Sequence, residues 1–239
     1  MRRLGASGAY RRECGEYVCD GSKLLSEAIR WDAQIRCVLW SKEPDMALPD
    51  TVQQYRVDGA LLDYVSPLRN CPGVLFSVKM HTWERRAPGR ALVLETIQDP
   101  GNLGTVLRTA NALGMDSVIL TGECADLWNP KTVRSAMGAL FRQRVYEMER
   151  GEMREYLTAA GCRLFGAALS EKSADIRTVK LERTAIAIGS EGRGLSPELL
   201  GLCDGEVIIP MNPACESLNA AVAAAIVMWE LTKGASENG

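Results

Sequence analysis

ALVLETIQDPGNLGTVLRTANALG, residues 91–114, decides how this chain must be read. Its first seven residues are almost all apolar, the mark of a strand buried on both faces as parallel sheets require. A turn with Pro100 and two glycines follows, and then Leu103, Val106, Leu107, Ala110 and Leu113 recur at helical spacing. Strand, tight turn and helix are how a dinucleotide-binding fold begins, but such a fold wants GxGxxG, and this turn offers only GxxG before Thr and Val. Asn102 instead fits as the N-cap of the helix, its side-chain oxygen accepting an otherwise unpaired backbone N–H. Thr105, Arg108 and Ala112 lie off the apolar stripe. Helical side chains lean toward the N-terminus, so Arg108 can reach back over the first turn; taken alone, it reads first as a solvated surface arginine.

Working outward, DSVILT, CRLFGAAL, TAIAIGSE and EVIIPM are further strand candidates with helical stretches between or after them, which predicts an α/β domain with a mostly parallel sheet. Toward the N-terminus, EYVCDG, SKLLSEAIRW and IRCVLWS form a strand, a helix and a second strand, and ALLDYVSPL and VLFSVKM repeat the alternation. The polar WERRAPGR interrupts it, so a boundary is expected near residues 84–90, with one domain over 1–84 and another over 90–239.

Composition narrows the class. The chain has 239 residues, 46% of them apolar, enough for a real core. Its longest apolar run, residues 220–229, falls short of the ~20 residues a membrane span needs, and no basic segment leads an apolar one; a soluble, cytoplasmic protein is expected. Eight cysteines are scattered without a CxxC pair beside the single His81, so a metal site is not expected and reduced thiols are.

Net charge is −2, too little for coating nucleic acid by bulk electrostatics. The distribution is uneven: residues 1–90 hold 14 Lys/Arg against 11 Asp/Glu, the remainder 14 against 19. Arg2, Arg3, Arg11 and Arg12, and Arg85, Arg86 and Arg90, form basic clusters that suit either phosphate contact or a solvated tail and linker.

Two more loops carry polar groups at strand ends. GSEGRGLSPELL, residues 189–200, has three glycines in six residues, then Ser196, Pro197 and Glu198 as N-cap, first helical position and dipole-favoured acid. By itself it reads as a plain tight turn sooner than as a ligand site. IIPMNPACESLNAAVAAAIVMWELTKG, residues 208–234, runs from a strand through a polar loop into a helix from about Leu218 to Lys233, apolar nearly all round and therefore buried or at a subunit contact. Ser217 and Asn219 stand at its entrance, where cap residues also belong. All three loops fall where open α/β sheets hold ligands, at the carboxyl ends of strands.

Together these stretches resemble the three signature motifs of the SpoU (TrmH-like) family of RNA ribose methyltransferases, in the SPOUT superfamily. They stand here as NLGTVLRTA, IGSEGRGL and IIPMNPACESLNAAVAAAI, in the family's order, over roughly residues 91–232. NPKTVRSAMGALFR, residues 129–142, is similar to the segment between the first two motifs. YRRECGEYVCDGSKLLSEAI is similar to the family's RNA substrate-binding domain, although Cys19 and Asp20 replace a usual Val-Glu pair.

The resemblance implies an α/β SPOUT fold with a C-terminal trefoil knot and mostly parallel sheet, behind a smaller N-terminal α/β RNA-binding domain. It implies a homodimer, S-adenosylmethionine as methyl donor, and a ribose 2′-hydroxyl of structured RNA as acceptor, ribosomal RNA ahead of tRNA. The alternatives are a non-catalytic RNA-binding or assembly protein on the same fold and a nicotinamide-dependent oxidoreductase. Gly189, Glu191, Gly192, Ile209, Met211 and Leu218 match cofactor contacts, while Asn102, Arg108, Glu191, Ser217 and Asn219 match the polar positions of the transfer step. Arg11, Arg12, Lys131, Arg134 and Arg142, with Arg144, are the expected RNA contacts.

Overall fold

A computed structural model describes residues 1–67, 71–190, 192–212 and 214–233. In chain order the elements are α1 (Arg2–Ala6), α2 (Gly8–Cys14), β1 (Glu16–Asp20), α3 (Ser22–Arg30), β2 (Ile35–Trp40), β3 (Gln53–Arg56), α4 (Gly59–Val65), β4 (Val74–Lys79), β5 (Arg90–Glu95), α5 (Pro100–Ala112), β6 (Ser117–Thr121), α6 (Pro130–Ala136), β7 (Val145–Glu147), α7 (Arg150–Ala159), β8 (Arg163–Ala167), β9 (Ala174–Asp175), β10 (Thr184–Ile188), α8 (Pro197–Gly201), β11 (Gly205–Ile208) and α9 (Ala220–Lys233). They form two compact units, Met1–Thr82 with Asp126–Arg142, and Trp83–Ala125 with the chain from Gln143 on. The segment 126–142 thus folds with the N-terminal residues, although it lies in sequence between β6 and β7.

In the first unit a four-stranded sheet runs in the order β1-β4-β2-β3, with β4 antiparallel to both neighbours and β3 parallel to β2. Central β4 is VLFSVK, and its first five residues are buried, as expected for a strand covered on both faces. Leu4, Val18, Leu62 and Leu75 pack together on this sheet. The segment 126–142 joins through α6, which packs on β1, and through Trp128, whose ring lies 4.6 Å from that of Tyr17. Asn129 caps α6 by accepting the Lys131 N–H at 2.9 Å, and Pro130 supplies the preset φ of a first helical residue.

The second unit is a seven-stranded sheet in the order β7-β6-β5-β10-β8-β11-β9, every described pair parallel. β6, β5 and β10 are adjacent inner strands, and Leu92, Ile119 and Ile186 are fully buried there. Burying such side chains contributes roughly 1.5–3 kcal/mol each, which is why these stretches carry almost no polar residue. Because all strands point one way, their carboxyl ends lie along a single edge, and α9 packs back against α5, β5 and β10.

Candidate active site

At the end of β5 the backbone turns sharply: Thr96 takes φ +55°, and its N–H donates to the Thr121 carbonyl at 3.1 Å. The helix that follows starts earlier than expected. Asp99, not Asn102, is its N-cap, accepting the Asn102 N–H at 2.8 Å, and Pro100 occupies the first helical position. Proline's fixed φ and missing donor suit that position, so of two overlapping start signals the Asp-Pro pair wins. The Asn102 side chain is thereby released from capping, and its Oδ1 accepts from Asn219 Nδ2 at 3.2 Å. Asn219 does cap its helix: its own Oδ1 accepts the Ala221 and Val222 N–H groups at 2.9 and 3.3 Å. A pair of side-chain amides therefore joins the first and third loops. Arg108 lies on the exposed side of α5.

The loop after β10 is tight. A Cβ on Gly189 would overlap the Gly194 carbonyl and the Leu195 nitrogen, so no other residue fits there without moving the backbone. Gly194, at φ +65°, returns its N–H to the Ser190 carbonyl at 2.9 Å. Glu191 lies outside the described residues. Ser196 caps α8 as expected, accepting the Leu199 N–H at 3.1 Å, with Pro197 and Glu198 in the first turn.

Sequence reasoning missed Glu95, the last residue of β5, which is only 2% exposed. Its carboxylate accepts from the Ser196 N–H, the Ser196 hydroxyl and Arg150 Nε, each at 2.7 Å. Burial pushes this carboxyl up, but the Ser196 and Arg150 donors outweigh it and hold it below its usual value. The available signal was a lone acid in the strand ALVLETI: a buried charge is tolerated only with partners, so partners had to exist.

Between the carboxyl ends of β8, β10 and β11 lies a cavity of about 540 Å³. Gly189, Gly192, Ile209, Met211 and Leu218 all line it, and so does Ser217. Its walls are mainly apolar, from Ile188, Leu195, Val207 and Ile208 among others. A smaller hollow of about 170 Å³, bounded by Thr96, Ile97 and Gln98 on one side and Ser190, Gly192 and Arg193 on the other, shares the second loop.

Three of the arginines expected at RNA are committed elsewhere, all within the first unit. Arg11 is 3% exposed, and its guanidinium donates to Asp126 at 2.5 and 3.2 Å and to the Leu4 carbonyl at 2.6 Å. These bonds hold the fold. Arg134 forks onto Asp20, and Arg142 Nη1 donates to Glu27 at 2.6 Å. Arg12 and Lys131 are exposed.

Residues 89–229 match the SpoU rRNA Methylase family. The chain belongs to it. A SpoU relative from Bacillus subtilis, the 23S rRNA (guanosine(2553)-2′-O)-methyltransferase RlmP, is 32% identical over 92% of this chain and 90% of its own. The 23S rRNA (uridine(2479)-2′-O)-methyltransferase of Streptomyces viridochromogenes is 30% identical over 93% of this chain and 84% of its own. In three dimensions the SpoU methyltransferase AviRb from S. viridochromogenes, in complex with AdoMet, superposes with a TM-score of 0.87 at 27% identity, covering 100% of this chain and 97% of AviRb. The SpoU match includes all three loops described above, so the motifs and the cavity fall within one family region.

Proposed function

We propose that this protein transfers a methyl group from S-adenosylmethionine to a ribose 2′-hydroxyl of RNA, ribosomal RNA ahead of tRNA. The observation that carries this is the convergence of the second and third motif loops on one cavity at the carboxyl ends of parallel strands. The residues there fit the donor. It has no diphosphate, so it needs no GxGxxG loop, and apolar walls with nearby backbone N–H and C=O groups suit an adenine and a methionyl chain. Gly189, Gly192, Ile209, Met211 and Leu218 would hold it, with Glu191 as a further candidate. Bound there, the donor supplies an electrophilic methyl on a positively charged sulfur.

The protein's part is to position the hydroxyl and lower the cost of charge on its oxygen. A guanidinium stays protonated in proteins and cannot serve as base. Arg108 therefore grips the adjoining phosphate or the developing alkoxide, as an oxyanion hole does. Asn102 and Asn219, tied to each other, orient that contact, with Glu191 as the family motif's further candidate; Ser217 fixes the hydroxyl or the donor's carboxylate. The proton leaves to phosphate or water. A non-catalytic RNA-binding protein would have no use for the intact polar set of the three motif loops.

The proposal extends to trefoil threading of the C-terminal segment and to a homodimer. The dimer is supported by α9, which, while packed on α5, β5 and β10, exposes Val222 and Trp229 at 48% and 56%; the threading rests on the family resemblance. RNA is taken to meet the first unit through its exposed cations, Arg12 and Lys131 among them. The test is to incubate the protein with methyl-labelled S-adenosylmethionine and ribosomal RNA, then hydrolyse in alkali. Label in alkali-resistant dinucleotides supports ribose transfer; label on bases, or none, overturns it.

A further inference from the structure

We infer that Glu95 is a positioning residue for methyl transfer: its carboxylate ties the end of the first-motif strand to Ser196 and so sets the wall of the donor cavity. This rests on reading that cavity as the S-adenosylmethionine site.

The carboxylate sits at a costly place. An ionised group so deeply buried survives only where several donors replace water, and Glu95 has three, from Ser196 N–H, Ser196 O–H and Arg150 Nε. Arg150 is the first residue of α7, where a positive charge opposes the helix dipole. The helix has no need of a cation there; the carboxylate does.

What Glu95 holds is the exit of the second-motif loop. That loop is fixed at its entry by β10, where Ile188 pairs with Leu94 of β5, one residue before Glu95. It is fixed at its exit by Ser196, whose hydroxyl serves both Glu95 and the cap of α8. Between the two, the backbone of Gly189 lies so close to that of Gly194 and Leu195 that a Cβ at 189 would overlap it. Gly194 and Leu195 line the cavity, so a shift of Ser196 is passed directly to the cavity wall. Displacements of about an ångström in such supports cost on the order of 10²-fold in turnover.

Glu95→Gln keeps the shape and removes the charge; with its amide oxygen in the place of Oε1, which accepts from both the Ser196 hydroxyl and Arg150, its NH2 faces the Ser196 N–H, donor against donor. Arg150→Gln removes the ion pair but leaves both Ser196 bonds to Glu95. Titration calorimetry with S-adenosylmethionine and urea unfolding of the full-length protein separate the two roles. The expected result is donor affinity at least tenfold weaker for Glu95→Gln, within twofold of wild type for Arg150→Gln, and similar urea midpoints for the two variants. RNA affinity should be unchanged in both. Affinity that falls equally in both variants, or in neither, overturns the inference, because then the pair stabilises the fold without setting the loop. Should Glu95→Gln fail to fold, Ser196→Ala takes its place: about threefold weaker binding against none for Arg150→Gln supports the inference, and the reverse order overturns it. Wild-type protein that does not bind S-adenosylmethionine overturns the reading of the cavity itself, and with it this one; wild-type binding with unaltered variants overturns this one alone.

Discussion

Gly189 and Arg108 owe their places to different physics, and their substitutions should fail differently. At Gly189 the constraint is steric: any side chain meets the backbone of Gly194 and Leu195. Backbone cannot rotate away as a flexible side chain can, so Gly189→Ala must displace the loop at about 1–3 kcal/mol. Calorimetry should therefore show S-adenosylmethionine binding about tenfold weaker or worse, while the buried strands keep the protein folded. Arg108 is exposed on α5. Arg108→Lys keeps the charge but loses the planar fork, and turnover should fall about 10²-fold with the KM for the donor unchanged. Wild-type turnover in that variant across pH would remove Arg108 from its assigned role. The glycine-rich turn and the arginine off the helix stripe were legible in the sequence as local patterns, while the roles assigned to them came from the resemblance to the SpoU motifs. Glu95 is not a local pattern: its partners are 55 and 101 residues away.

Helix starts show how closely two local signals can compete. In DPGN, Asp99 and Asn102 are both good caps, and the structure selects Asp99 because Pro100 follows it. Two substitutions should therefore separate cleanly. Asp99→Ala removes the cap and should cost about 1 kcal/mol in urea unfolding. Asn102→Ala leaves the cap intact and removes the bond from Asn219, so stability should stay within about 0.5 kcal/mol while turnover falls. Equal stability losses would restore Asn102 as the cap. The strands divide on the same principle of local signal. β5, β6 and β10 could be read because burial on both faces gives an unbroken apolar run. β3, fully exposed QQYR, and β9, two residues long, offered neither run nor period and went unread. At the element scale α9 also tests the dimer: Trp229→Lys should convert the protein to monomer in analytical ultracentrifugation, and an unchanged dimer would place the contact elsewhere.

Across the whole molecule, the two units owe their stability to different titrating groups and should meet acid differently. The first contains the segment 126–142, attached by Arg11–Asp126, Arg134–Asp20 and Arg142–Glu27, pairs more than a hundred residues apart in sequence. No local pattern announces such pairs. It also holds His81, edge-on to Trp128 at 5.5 Å. Burial lowers the imidazole below its ordinary value, with partial compensation from a backbone bond at Leu140. A lowered folded value means that the unfolded chain takes up the proton first, so the contribution of His81 is complete above about pH 6.5 and is lost as pH falls. The second unit has no such group among its described residues, since the chain's single histidine lies in the first. Its titrating anchors are carboxylates. Asp204 is held below its usual value by Arg154, which donates to both of its oxygens at 2.7 and 2.9 Å, against the opposing effect of burial. Glu95 is lowered in the same sense. Their contribution is complete above the ordinary carboxylate range and is lost only as pH drops below about 4.5. Amide-exchange protection, followed peptide by peptide between pH 7 and 4 and corrected for intrinsic rates, should therefore fall first in residues 1–82 and 126–142. Asn in place of His81 should flatten that early loss and leave the later one untouched. Simultaneous loss in both units, with no effect of His81→Asn, would show that the imidazole carries none of the pH dependence.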